Sequence, residues 1–120
     1  MIPLIARIFF HSSCNIYLFA VQNEIKFPEI VVKQYLAETE WGKCTDCSLE
    51  LNNCFGFYTN QFLEFDHWIE SVEFYKKFQD DYAPEQICDR DCYYDWLDAY
   101  GYASAGHYVT MLKDIKIKWN

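Results

Sequence analysis

Prolines 3, 28 and 84 are the only three in the chain, and the stretches between them run with helical spacing and few internal breakers. Punctuation of this kind favours helices that begin at a proline and end at a glycine over a sheet of many short strands. The first helix is read over residues 1–23, begun by Pro3 in its first turn. The second runs from Pro28 to about Trp41 and is ended by Gly42. Residues 44–53 are polar and turn-like, after which CFGFYTNQFLEFD reads as two short strands joined by Thr59, Asn60 and Gln61. Asp66 is placed to cap the next helix, over 67–81, in which Ile69, Val72 and Tyr75 or Lys76 keep helical spacing. A loop with Pro84 and two cysteines leads to a short helix, CYYDWLDAYG, that stops at Gly101. In AGHYVTMLKDIKIKW, finally, Tyr108, Met111, Leu112, Ile115 and Trp119 mark one helical face. The expected architecture is α+β and mostly helical, about five helices with one small β-hairpin lobe, in a single domain over residues 1–120. A groove between two lobes suits an extended polymer.

A chain of 120 residues supports one hydrophobic core, and 52% hydrophobic residues exclude a disordered segment. Ten Tyr, ten Phe and four Trp are more rings than so small a core hides completely, so some are expected to line a groove. The formal charge of −8 repels a phosphate backbone and excludes nucleic acid as a partner. It also means that any anionic polymer must be held by short-range contacts. The apolar start carries one Arg but is interrupted by His11, Ser12, Ser13 and Asn15 and shows no clear cleavage site. It reads as a helix of a protein made in the cytoplasm, with neither a signal peptide nor membrane insertion.

Within the second helix, a step of about 100° per residue puts Glu38 within about 20° of Val31. Glu38 thus shares an apolar stripe with Phe27, Val31 and Tyr35, whereas Glu40 lies beside Lys33 on a solvated face. A carboxyl among apolar groups loses hydration, so its pKa rises and it stays protonated near neutral pH. A glycosidic general acid needs that state; a partly exposed glutamate at a helix end is the plainer alternative.

Six cysteines are arranged as Cys44 and Cys47 in CxxC, Cys88 and Cys92 in CxxxC, and Cys14 and Cys54 apart. The two close pairs suit a four-ligand structural zinc site if their loops meet, disulfides in an oxidising compartment, or free thiols in the cytosol. The chemistry itself requires no cofactor.

Four blocks in order, IKFPEIVVKQYLAETEWG, NNCFGF, FDHWIESVEFYKKF and YYDWLDAYGYASAGHYVTMLKDI, resemble the bacterial glucosaminidase family of flagellar and autolytic peptidoglycan hydrolases. The short single-domain members from the Bacteroidetes and their phages are the most similar. The resemblance covers residues 24–118. It implies a lysozyme-like fold and cleavage of β-1,4 bonds in peptidoglycan glycan strands, of the endo-β-N-acetylglucosaminidase type, with Glu38 at the position of the catalytic glutamate. Gln34 also matches, as a structural residue or a hydrogen bond in the groove floor. Asn52, Asn53, Phe55 and Gly56 match an Asn-Asn-x-Phe-Gly pattern, and Tyr102 and Tyr108 match the family's tyrosines. Where the family has an acidic residue and Pro before the last tyrosine, this chain has Ser104, Ala105, Gly106 and His107. Gln34, Asn53, Phe55, Tyr58, Tyr102 and Tyr108 are accordingly the residues expected at the substrate, although turn-making and core packing account for several of them equally well.

The resemblance further implies a second acid from the hairpin lobe, with Glu64 preferred over Asp66 and Glu50 less well placed. If that lobe is too short, Glu38 acts with the substrate's own acetamido group. The expected setting is the bacterial cell wall, reached in the periplasm or carried in a phage virion. The competing reading is a catalytically silent domain that binds glycan or serves as a structural part of a virion.

Overall fold

The computed structural model describes residues 4–104 and 106–120; Pro3 and Ala105 lie outside them. Among the described residues five α-helices form: α1 Ser13–Gln22, α2 Pro28–Glu38, α3 Trp68–Tyr82, α4 Arg90–Tyr100 and α5 Tyr108–Asp114. The fold is mostly helical, as expected.

The expected first helix is divided. Leu4–Ile8 forms a 3-10 turn, and α1 begins only after Ser12, whose hydroxyl accepts from the Asn15 N–H and fixes a new N-terminus there. Helix α1 buries Ile16, Phe19 and Ala20 against α2 and α3.

Helix α2 starts with Pro28 in its first turn and is buried on two sides. Val31, Val32, Tyr35 and Leu36 join a core with α1, α3 and Cys54, Phe55 and Phe57. Ile30 joins a second core, made by Tyr93, Tyr94 and Leu97 of α4 with Tyr108 and Leu112 of α5. Each such side chain contributes roughly 1.5–3 kcal/mol by leaving water, so α2 is fixed from both sides. The residue at its C-terminal end is therefore held in a defined place.

The helix ends at Glu38, earlier than the expected Trp41. Glu40, Trp41 and Gly42 all take positive φ, of 49°, 64° and 78°. This left-handed turn is tied to Thr39, whose hydroxyl donates to the Tyr35 carbonyl and accepts from the Gly42 N–H, while its carbonyl accepts from Lys43 and Cys44. A Cβ at Gly42 would lie 2.7 Å from the Tyr35 hydroxyl, which keeps that position to glycine.

The expected hairpin contracts to one antiparallel bridge, Tyr58 to Phe62, and no ladder strand forms among the described residues. The reason lies in Asn53. Its side-chain amide donates to the carbonyls of Phe57 and Leu63 and accepts from the Phe57 N–H, taking partners that a strand ladder would use. Asn52 ends the 3-10 turn Ser48–Leu51 in a left-handed conformation and donates to the Phe65 carbonyl.

At the start of α3 the cap is His67, not Asp66. The imidazole Nδ1 accepts from the Ile69 N–H, and Glu70 accepts in return from the His67 N–H. Helix α4 ends at Gly101, left-handed at φ 78°, as expected. Helix α5 stops at Asp114 instead of running on to Trp119, because Ile-Lys-Ile-Lys alternates with period two and suits extended chain. The extended tail returns to the start of α1. There the Asn120 side chain accepts from the Ser13 N–H and its carbonyl from the Cys14 N–H, two donors left open at the helix N-terminus.

Candidate active site

Glu38 lies at the C-terminal end of α2, half-buried, one turn beyond Gln34. Its stripe partners Val31 and Tyr35 are buried, as the helical spacing requires, and Glu40 is exposed in the left-handed turn beyond the helix. Desolvation pushes the Glu38 carboxyl up to about 7 from its ordinary 4.5. No second carboxylate shares in that shift. The left-handed turn that follows turns the chain away at once, so the carboxyl is not covered by a further helical turn.

Opposite the carboxyl stands Gly56, with φ 68°. A Cβ there would lie 2.5 Å from Glu38 Oε2 and 3.0 Å from its Cδ, so Gly56 leaves the room in which this carboxyl sits. Asn53 and Phe55 hold the loop in that position. Asn53 is fully buried with its amide committed to backbone, and Phe55 is fully buried, edge-on to Phe57 and Tyr75. Both shape the loop from within and offer no surface to a ligand.

Gln34 is likewise buried and belongs to a chain of hydrogen bonds. Gln79 Nε2 donates to the Tyr93 hydroxyl, Tyr93 pairs with the Tyr75 hydroxyl at 2.6 Å, Tyr75 donates to Gln34 Oε1, and Gln34 Nε2 donates to the Tyr108 hydroxyl at 3.4 Å. The chain joins α3, α4, α2 and α5 beneath the carboxyl. Gln34 thus sets the position of Tyr108 and lies under the site's floor.

Tyr102 and Tyr108 stack with centroids 5.7 Å apart and planes 10° from parallel. The Tyr102 hydroxyl donates to the Phe55 carbonyl at 2.7 Å, fastening the Gly56 loop to the segment after α4. Burial raises both phenols and the charge of Glu38 adds to it, so both stay neutral. Tyr58, by contrast, is 62% exposed and packs edge-on to Phe62.

Glu64 and Asp66 are exposed. Glu64 borders a surface depression with Leu51, Gln61 and Phe62 and adds nothing to the shift of Glu38, so the structure does not couple either acid to it.

Each close cysteine pair is joined locally, Cys44 to Cys47 and Cys88 to Cys92, with Cα atoms 6.1 and 6.0 Å apart. The four sulfurs do not gather into the zinc site that sequence spacing allowed. Each pair lies within one turn of chain, before the Ser48–Leu51 turn or at the start of α4, and so meets its near neighbour. Cys88, Asp89 and Cys92 lie close together, but the two sulfurs are taken up by the disulfide. Cys54 is a buried free thiol, pushed up to about 12 by its burial, and Cys14 is exposed.

Trp41, Tyr82 and Tyr100 are among the exposed rings that sequence reasoning did not single out. Trp41 stands in the left-handed turn three residues after Glu38, and Tyr82 and Tyr100 close α3 and α4. The available signal was position: each is a large ring immediately before or within a chain break.

No curated protein and no solved structure matches the chain. The sequence model of one family, described as Glucosaminidase (mannosyl-glycoprotein endo-beta-N-acetylglucosaminidase), matches residues 16–120. That span takes in α1 from Ile16, α2 to α5, the Glu38 turn and the Gly56 loop, and the chain belongs to the glucosaminidase family.

Proposed function

We propose that this protein hydrolyses β-1,4 glycosidic bonds within peptidoglycan strands, as an endo-acting β-N-acetylglucosaminidase with Glu38 as general acid. The observation that carries the reading is a desolvated carboxyl, raised to about 7, open beside a glycine and two neutral tyrosines. Protonated Glu38 donates to the glycosidic oxygen as the bond to the anomeric carbon breaks, and the departing sugar leaves as an alcohol. Positive charge builds on the ring that remains.

The substrate's acetamido oxygen is the group best placed to meet that charge, since no protein carboxylate is coupled to Glu38. It closes on the anomeric carbon, and water then opens the ring so formed, with Glu38 taking the proton back. Glu64, and after it Asp66, is the protein group that would act as base if the 54–65 loop closes over bound glycan. In this reading the helical body and that loop are the two lobes of a lysozyme-like fold, and Tyr102 and Tyr108 position the sugar. The enzyme meets its substrate at the cell wall, as a phage lysin or a wall-remodelling enzyme. Neither zinc nor another cofactor enters the reaction.

The test is release of reducing ends from purified peptidoglycan. Glu38→Gln keeps the shape and removes the proton, and is expected to lower the rate by at least about 100-fold. A Glu38→Gln protein that works at the wild-type rate would refute the mechanism.

A further inference from the structure

The acids of this chain are unevenly spread. All eighteen lie between Glu24 and Asp114, so residues 1–23 and 115–120 carry none and have Arg7, Lys116 and Lys118 as their cations. The fold brings these two acid-free segments together. The Asn120 side chain accepts from the Ser13 N–H at the start of α1, and the Trp119 ring packs edge-on to Tyr17 at 5.4 Å. Arg7, Lys116 and Lys118 are exposed, and none of the ion pairs among the described residues uses them.

The same region turns apolar side chains to water. Leu4 and Phe10 are 84% exposed, Ile5 73% and Ile8 70%. Their backbone is fastened to α3, where His67 Nε2 donates to the Arg7 carbonyl and Trp68 Nε1 donates to the Phe9 carbonyl. Ala6 is buried and Phe9 lies edge-on to Phe19. The segment is thus held by its backbone and by Ala6 and Phe9, while its other large side chains face outward. Across a groove of about 410 Å³ stands α1, whose Leu18 lines the groove and shares an exposed face with Tyr17 and Val21. Apolar side chains scattered singly over a surface need no explanation, but a contiguous set marks a contact surface.

Charge selects the occupant. In a twofold pair of copies the same patch meets itself, which would set the three cations of each copy about one contact with no acid from either segment. A bilayer with anionic headgroups answers both features. Its acyl region takes up Leu, Ile and Phe, its headgroups attract Lys and Arg, and rings such as Trp119 and Tyr17 suit the boundary between them. The formal charge of −8 is carried largely elsewhere on a molecule of 36 × 32 × 29 Å, beyond a Debye length of about 8 Å at physiological salt. Glu73 lines the groove from α3 and is exposed, so it can remain hydrated at the rim.

We propose that residues 4–10 and the outer face of α1 form a docking surface for a lipid bilayer containing anionic phospholipid. The contact is interfacial; no helix among the described residues is long and apolar enough to cross a membrane. It is independent of the reaction at Glu38, and residues 4–15 lie ahead of the matched family span.

Flotation of the full chain with vesicles of phosphatidylcholine containing about one-quarter phosphatidylglycerol tests the proposal. The wild type is expected to float with the vesicles, with a blue shift of its tryptophan fluorescence. Ile8→Ser combined with Phe10→Ser should weaken binding roughly 30-fold or more, since two large apolar side chains are no longer taken out of water. Lys116→Ser combined with Lys118→Ser should weaken it roughly tenfold on these vesicles and by less than about twofold on phosphatidylcholine alone. Unfolding midpoints equal to that of the wild type would show that these exposed substitutions keep the fold. A wild type that stays in solution with the mixed vesicles, or an Ile8→Ser, Phe10→Ser protein that floats equally well, overturns the proposal. So does a wild type that sediments as a dimer without binding vesicles and becomes a monomer in that variant, which would assign the patch to a second copy.

Discussion

At the scale of single residues, the site turns on a difference between two neighbours. Glu38 and Glu40 are two positions apart; helical spacing puts Glu38 on the buried stripe, and the left-handed turn after it leaves Glu40 in water. That much was legible because α2 is regular up to Glu38. Its contact with Gly56 was not legible, since the two are brought together by the loop that Asn53 and Tyr102 hold. Gly56 leaves no space for a side chain, and its φ of 68° adds strain for any other residue. Gly56→Ala is thus expected to displace the carboxyl and lower hydrolysis on the order of 100-fold, with the circular dichroism spectrum retained. Wild-type rates in that variant would mean that the carboxyl's present position is unimportant.

Among the elements, regular spacing and terminal glycine identified most helices, α3 and α4 almost to their ends. The departures share a cause: a local side chain or a neighbouring segment outweighs propensity. Glu40 and Trp41 are not residues that announce a left-handed turn; the hydrogen bonds of Thr39 and the one from the Trp41 N–H to the Leu36 carbonyl hold it. The hairpin contracts to a single bridge for a similar reason, because a two-strand pattern says nothing of an amide that replaces the ladder. The Ile-Lys-Ile-Lys alternation at the end of the chain, however, was a readable strand-type signal that the helical face of α5 obscured. Asn53→Ala tests the loop account. Removing an amide that serves two carbonyls and one N–H in the interior should lower unfolding stability by about 3 kcal/mol in urea titrations. A change below about 0.5 kcal/mol would show that backbone pairing alone holds the loop.

For the whole molecule, helix packing and one polar chain converge on the end of α2. Two cores grip the helix, four helices exchange hydrogen bonds through Gln34 and three tyrosines, and the carboxyl emerges where water has only partial access. Such an arrangement has a thermodynamic consequence. Below the ordinary value of 4.5 Glu38 is protonated whether the chain is folded or not, so its burial carries no ionisation cost. Between 4.5 and about 7 the unfolded chain gives up the proton while the folded chain keeps it, and folding stability falls as pH rises. The loss is complete above about 7 and is on the order of 3 kcal/mol. Over the same range in which stability is lost, the acid form needed for catalysis disappears, so hydrolysis should decline as pH rises through about 7. Glutamine at position 38 cannot ionise and removes this contribution. The most direct measurement is therefore denaturant unfolding of the wild type and Glu38→Gln from pH 4 to pH 8. The account predicts that the variant gains on the wild type through that interval, by up to about 3 kcal/mol, and that the gap is constant above it. Two curves that keep a fixed separation throughout would show that the fold does not hold Glu38 protonated, and would contradict its role as the acid.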